Sequence, residues 1–478
     1  MRKRNQHVTI IGGGLTGLSA AYYLKREIQN QQLEVELSLI EASPRLGGKI
    51  QTVRRNGFTI ERGPDSFLER KESAPQLVKD LGLESKLVNN ATGKSYVLAN
   101  DKLHPMPEGA VMGIPTQIMP FVTTGLFSVG GKARAAADFL LPAKNINGDQ
   151  SLGQFFRRRL GDQVVENLIE PLLSGIYAGD IDQLSLMSTF PQFYKVEQEH
   201  RSLILGLKKS TPKSNQTYKA ERKKGIFQTV QGGLQTIIEA FEENLSDINL
   251  LKGTKVLDIK KSDDKYEITL SNGDKMESDS IILAAPHTVV PAILKDHALF
   301  DYFKAMPSTS VATVAMAFPK NAVRMDQEGT GFVISRNSDY TITACTWTHK
   351  KWPHTTPDDQ VMLRAYVGKP GDQAIVDQPD DVIIKTVMDD LKRIISIDVD
   401  SPNFAYVTRW KQAMPQYHVG HKEKIKRIKD RMKDVYPGIF LSGASYEGIG
   451  LPDCIDQGKT AVQHVLQFLS EETNRVIS

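Results

Sequence analysis

The run Ile11-Gly12-Gly13-Gly14-Leu15-Thr16-Gly17 decides the fold. It follows a short apolar strand, His7–Ile11, and opens a helix expected from Leu15 to about Gln29. The helix reading rests on apolar Leu18, Ala21, Tyr22 and Ile28 at helical spacing. In this G-x-G-x-x-G pattern Gly12 permits the tight turn and Gly14 lets the backbone approach a pyrophosphate. Gly17 lets helix and strand pack closely. Gly13, Leu15 and Thr16 complete the turn, whose free N–H groups and positive helix end face the phosphates. A second strand, Val35–Glu41, ends on a carboxylate 24 residues after Gly17. A carboxylate there accepts the hydroxyls of an adenosine ribose and repels a 2′-phosphate.

The rest of the composition bounds the protein. Its 478 residues suggest two or three domains. Apolar residues are 40% and charged residues 24%, which excludes a disordered chain, a collagen and a small disulfide scaffold. The net charge of +4 suits anionic ligands but gives no clustered basic face, so no nucleic acid is expected as a partner. Cys345 and Cys454 stand far apart and outside any metal-ligand spacing. A reduced, cytoplasmic protein without a metal site is expected. From Gly109 to Gly131 no residue is charged. That stretch is long enough to span a bilayer, but its Pro and Gly residues break a lipid-exposed helix. It reads as an apolar cavity wall, or as a one-sided membrane-contact surface at the inner face of the membrane.

Further along, Ser151 caps a helix with Leu152, Phe155, Phe156 and Leu160 on one face. Residues 208–224 read as a basic surface loop. Residues 253–286 read as strands with a hairpin at Asn272-Gly273. Strand-like runs fill 309–410, and 419–434 reads as a solvated amphipathic helix. The chain ends on a strand, a loop and a helix beginning near Pro452. The nucleotide-binding pattern thus opens the chain, and matching strands recur in the middle and at the end.

The segment Glu41-Ala42-Ser43-Pro44-Arg45-Leu46-Gly47-Gly48-Lys49 selects between dinucleotides. It places a cation and bare glycine backbone beside the pyrophosphate a second time, which nicotinamide folds do not need. Here the chain resembles the FAD-binding fold of flavin amine oxidases, phytoene desaturases and porphyrinogen oxidases. The resemblance implies that Gly63, Pro64, Asp65 and Ser66 lie along the flavin and ribityl chain. It also implies that Val256 reaches the adenine by its backbone and that Trp410 stacks near the flavin.

The C-terminal run Gly443-Ala444-Ser445-Tyr446-Glu447-Gly448-Ile449-Gly450-Leu451-Pro452-Asp453-Cys454 narrows the family. Amine oxidases commonly carry Gly-Glu at the position of Gly443-Ala444. The G-x-G-L-P-D-C pattern is more similar to oxygen-dependent porphyrinogen oxidases, above all the soluble Gram-positive bacterial type. Ile449, Gly450 and Leu451 are expected at the flavin. A helix starting at Pro452 would aim its positive end at the flavin pyrimidine edge and stabilise reduced flavin. Cys454 is expected to be packed and inert.

The resemblance implies an α/β fold: a discontinuous Rossmann-like FAD-binding domain with an inserted α+β substrate-binding domain that includes a helical subdomain. Expected boundaries are 1–70, 226–290 and 411–478 for the first. Those for the second are 71–225, which includes the helices, and 291–410, which forms the substrate-binding sheet. The implied reaction is FAD-dependent oxidation of coproporphyrinogen III, and also of protoporphyrinogen IX, with O2 giving H2O2, in haem biosynthesis. A peripheral membrane or haem-pathway protein contact is part of that picture. His104, His287, His418 and His421 are scattered, and no base or nucleophile stands out. That suits a porphyrinogen, whose bridging carbon loses hydride to leave a pyrrole-stabilised cation. Candidate substrate residues are Ile176 and Tyr177 for the wall and Lys71, Arg70, Lys94 and His104 for propionates. An amine or carotenoid oxidase of the same fold, or a non-catalytic flavoprotein, are the alternative readings.

Overall fold

Parallel strand pairing brings remote parts of the chain into one sheet. The computed structural model describes residues 6–146, 148–210, 225–296 and 298–477. Strands β1 (Gln6–Ile11), β2 (Val35–Glu41), β3 (Asn249–Lys252), β4 (Ser280–Leu283) and β5 (Ile439–Leu441) form a five-stranded parallel sheet of order β3-β2-β1-β4-β5. The central strands are buried on both faces, as their apolar runs require: Val8, Ile10, Leu39, Ile40 and Ile281 are all nearly inaccessible. Helix α1 (Leu15–Gln31) starts directly from the glycine turn, with Gly14 as its N-cap.

Between these pieces lies a second layer of structure. A seven-stranded sheet runs in the order Phe404–Pro415, Ser308–Pro319, Gln360–Val367, Ile342–Trp347, Gly331–Ile334, Tyr96–Ala99, Lys102–Pro105. A helical lobe packs beside it. There the Ser151 hydroxyl accepts from Gln154 N–H at 3.1 Å, and Leu152, Phe155, Phe156 and Leu160 are fully buried, as the sequence pattern predicts. A π-helical turn at Val165–Ile169 leads into α2 (Glu170–Tyr177).

Two more helices close the first sheet. Helix α3 (His421–Val435) buries Ile425, Ile428 and Met432 on one stripe. Helix α4 (Leu451–Ile477) packs along α1. The contact is close: a Cβ on Gly458 would stand 2.7 Å from the Thr16 carbonyl oxygen.

The middle of the chain divides between two sheets. Val256 opens Val256–Ser262, a strand of a separate three-stranded antiparallel sheet with the Lys265–Leu270 and Lys275–Ser278 hairpin. The strand this region gives to the parallel sheet beside β2 is β3, because Lys252 pairs with Glu41. The basic loop begins later than expected, since Lys208 and Lys209 still belong to a helix, Leu203–Ser210; residues 211–224 lie outside the described residues. The uncharged stretch 109–131 is not one wall. Short helices at Ile118–Thr123 and Val129–Ala136 bury Phe121 and Ala135 but expose Met119 (69%) and Val129 (84%). Among the described residues no helix is long and apolar enough to cross a membrane.

Candidate active site

The glycine turn has the geometry that its residue types demand. Gly12 has φ of +112°, and a Cβ there would lie 2.7 Å from the Ala284 carbonyl oxygen. A Cβ on Gly17 would overlap the Gly12 carbonyl oxygen. Gly14 differs from both. A Cβ there meets nothing within 4 Å, so the space over the first turn of α1 is open. The first turn carries no acidic residue, and its N–H groups have no intrahelical acceptor. The Glu41 carboxylate accepts from Gly13 N–H at 2.6 Å and from Ser43 N–H at 2.7 Å, which holds the turn against β2.

A second glycine pair backs the first. Gly47 N–H donates to Gly13 O at 2.8 Å, and Gly48, with φ of +55°, faces Gly14. Arg45 organises this loop. Its guanidinium donates to the carbonyls of Leu46, Gly48 and Ile50, at 3.2, 2.7 and 3.1 Å, because those oxygens turn inward around it. Ala42 is exposed beside the loop. Lys49 lies where burial lowers its pKa, and its ammonium donates to Ala413 O.

Residues 61–66 form the next wall. A Cβ on Gly63 would overlap Lys49 O and lie 3.5 Å from the Trp410 ring, so Gly63 is where three segments touch. Trp410 Nε1–H donates to Arg62 O at 2.9 Å. The Asp65 carboxylate is held by three side-chain donors. Lys351 Nζ, Trp352 Nε1 and the Ser66 hydroxyl all donate to it, at 2.7, 3.3 and 2.7 Å. Burial raises its pKa, but Lys351 and Arg364 outweigh that and hold it well below the usual carboxylate range. Pro64 sits between this anchored Asp65 and Gly63, whose carbonyl accepts from Arg364. Nearby, burial pushes the Glu61 carboxyl up to about 7, against the pull of Leu234 N–H, the Thr52 hydroxyl and Arg364.

The C-terminal segment closes the ring of walls. Gly443 lies 3.7 Å, measured from its would-be Cβ, from the Thr16 hydroxyl oxygen. Cys454, in the first turn of α4, lies beside the Thr16 side chain, which lowers its pKa against the larger effect of burial. Two helix N-termini, those of α1 and α4, therefore start side by side. Burial pushes the Cys454 thiol up to about 11, so it is packed and inert as expected. Ile449 packs on the helical lobe, Leu451 packs on the core beneath α1, and Gly450 leads into the helix.

The substrate candidates divide. Ile176 on α2 is 45% exposed, whereas Tyr177 is buried against Phe190 and Tyr417. Lys71 pairs with Asp453 at 2.5 Å, since the segment before residue 73 crosses the start of α4. Lys94 precedes the Tyr96–Ala99 strand and His104 lies in its hairpin partner Lys102–Pro105, at the far edge of the seven-stranded sheet from Trp410. Arg70 is exposed. Of the four histidines, His287 and His421 are buried beside the site, and burial lowers both pKa values, that of His421 to about 4. Tyr417, Gln457, Lys351 and Arg364 were not legible as site residues. Each acts on segments from 9 to more than 300 positions away, and no local spacing marks them.

Open space over Gly14, a second glycine pair and two converging helix ends fit a flavin dinucleotide. The family model for flavin-containing amine oxidoreductases matches residues 15–466. The chain belongs to that family. This flavoenzyme is an oxidoreductase, and FAD is its cofactor. It is 60% identical over 469 residues to the coproporphyrinogen III oxidase of Bacillus subtilis, covering 98% of this chain and 100% of that one. It is 47% identical to the coproporphyrinogen III oxidase of Staphylococcus aureus, covering 97% and 99% of the two chains. A solved Exiguobacterium structure assigned as a protoporphyrinogen oxidase is 39% identical, with a TM-score of 0.85 over 97% of this chain and 99% of that one.

Proposed function

We propose that this flavoenzyme oxidises coproporphyrinogen III to coproporphyrin III, and also protoporphyrinogen IX to protoporphyrin IX, in haem biosynthesis. O2 accepts the electrons and leaves as H2O2. One observation carries the reading: the N-termini of α1 and α4 meet at Thr16 and Cys454, so one dinucleotide spans both positive helix ends. The full-length likeness to coproporphyrinogen III oxidases supports the substrate.

FAD supplies the two-electron acceptor when bound. In this reading Gly12, Gly13, Gly14, Leu15, Thr16 and Gly17 receive its pyrophosphate, and Glu41 and Ala42 its ribose. Arg45, Gly48 and Lys49 hold the opposite side. Gly63, Pro64, Asp65, Ser66 and Trp410 line the ring by backbone and stacking, and Val256 contributes at the adenine. Ile449, Gly450 and Leu451 present the end of α4. Ile176 contributes apolar wall against the macrocycle and excludes water. Lys71, paired with Asp453, offers its remaining N–H groups at the rim. The chain's task is then positioning a bridging carbon, not supplying a base. The division at 1–70, 71–225, 226–290, 291–410 and 411–478 and a cytoplasmic location belong to the same reading.

The test is direct. The purified protein is expected to show a flavin spectrum and, with coproporphyrinogen III in air, to develop porphyrin fluorescence and peroxide together. A yellow protein that consumes amines and neither porphyrinogen would overturn the proposal.

A further inference from the structure

The loop 443–450 leads from β5 past the glycine turn to the N-terminus of α4, yet little in its own sequence fixes its shape. It bends at Gly443 and Gly448, with φ of +125° and +110°. Three of its backbone groups, on alternate residues, are held from one side by two aromatic rings. The Tyr417 hydroxyl donates to Ala444 O at 2.8 Å and accepts from Gly448 N–H at 3.0 Å. His421 Nε2–H donates to Tyr446 O at 2.8 Å, which assigns its tautomer; Nδ1 then accepts from the Tyr302 hydroxyl at 2.8 Å. The imidazole stacks flat on the Tyr417 ring, with centroids 4.1 Å apart and planes 10° apart. Both residues are essentially inaccessible, at 0% and 1% exposure. An imidazole this buried stays neutral at physiological pH, its pKa lowered to about 4 by desolvation, so the tautomer is stable.

The same loop reaches the dinucleotide turn through a further contact. Tyr446, itself buried, donates its hydroxyl to Ala285 O at 3.4 Å, and the neighbouring Ala284 is the residue against which Gly12 packs. On the other side of the pair, Gln416 donates to Tyr177 O at 2.9 Å and Met414 O at 3.0 Å. Residues 416–421 therefore tie the end of α2, which carries Ile176, to the loop that precedes α4. A buried group of this kind has no role in the core that apolar side chains would not fill at lower cost. What it adds is a single position for the loop.

We propose that Tyr417, seated on His421, is a positioning residue that fixes the 444–448 loop, and with it the N-terminus of α4, against the flavin. The proposal rests on the flavin reading of the site and deepens it. Tyr417 touches neither cofactor nor substrate in this scheme; it acts through the backbone of Ala444 and Gly448. Removing its hydroxyl leaves ring, stacking and burial intact but frees both backbone groups.

The experiment compares the wild-type full chain with Tyr417→Phe. The variant is expected to release FAD about tenfold faster, the scale of the two hydrogen bonds it loses. Its flavin absorption maximum should shift, and kcat for coproporphyrinogen III should fall while KM holds. His421→Phe, which keeps a flat ring but loses the donor to Tyr446 O, should move the same quantities in the same direction. His421→Gln, which restores a donor at the Nε2 position, should recover them in part. Wild-type FAD release and absorption in Tyr417→Phe would overturn the proposal. If that variant does not fold, unchanged flavin properties in His421→Phe overturn it instead. A wild-type chain that binds no FAD at all would sink the flavin reading itself, a separate result.

Discussion

The glycine turn at 12–17 and the loop at 443–450 face the same space but are built by opposite means. The turn is held by its own backbone and by glycines packed against near neighbours: Gly17 on Gly12 O, Gly47 on Gly13 O. The loop is held by side chains from elsewhere: Tyr417, His421 and Gln457, each on a different element or strand end. A locally closed motif tolerates change around it and not within it. A remotely held loop tolerates change within it better than at its supports.

The contrast within the turn should give the largest effects. Gly17→Val forces a side chain into the Gly12 carbonyl and should abolish soluble folded protein, seen as lost far-UV signal or insolubility. Gly14→Val meets open space and an extended backbone, with φ of −76° and ψ of 177°, that a β-branched residue adopts without strain. It should fold with near wild-type Tm and carry no flavin; retained flavin would break the assignment of that space. At the loop, Gln457→Leu removes an acceptor from Gly443 N–H and a donor to Gly448 O, both 3.1 Å away. Stability should fall by about 2–4 kcal/mol, from two unmet buried backbone groups, as read by denaturant titration.

A smaller, pH-gated effect tests the third wall. Glu61 has a folded pKa raised to about 7, above its unfolded value of about 4.3, so the folded state holds the extra proton. Its contribution is fully present below pH ~4.3 and is lost as pH rises towards 7. Glu61→Gln keeps an acceptor for Leu234 N–H and should flatten that loss in a pH series of Tm. A wild-type slope between those pH values would show that Glu61 is not the group responsible. Smallest of all, Val129→Ser at an 84% exposed position should change stability by no more than about 0.5 kcal/mol.

What the sequence disclosed follows the same divide. Gly12, Gly14, Gly17 and Glu41 were legible because their spacing falls within one βαβ unit, although Gly12 also packs on the remote Ala284. The Asn272-Gly273 hairpin and the helix from Leu451 were legible because turn and cap chemistry is local. The Lys71–Asp453 pair was hidden because its members stand 382 positions apart. The Lys351–Asp65 pair was hidden in the same way, at 286 positions. Tyr417 and His421 sit in the unremarkable run Gln416-Tyr417-His418-Val419-Gly420-His421, whose meaning appears only when the loop is folded over it.

The pairing of α1 with α4 has a consequence for synthesis. The glycine turn leaves the ribosome early, while Cys454, its neighbour across Thr16, is translated last among the walls. At about 5–20 residues per second the interval is on the order of 20–90 seconds. Throughout it the nascent chain exposes half a cradle, so prosthetic-group capture falls to the finished polypeptide, and a stalled transcript yields apoprotein fragments for proteolysis.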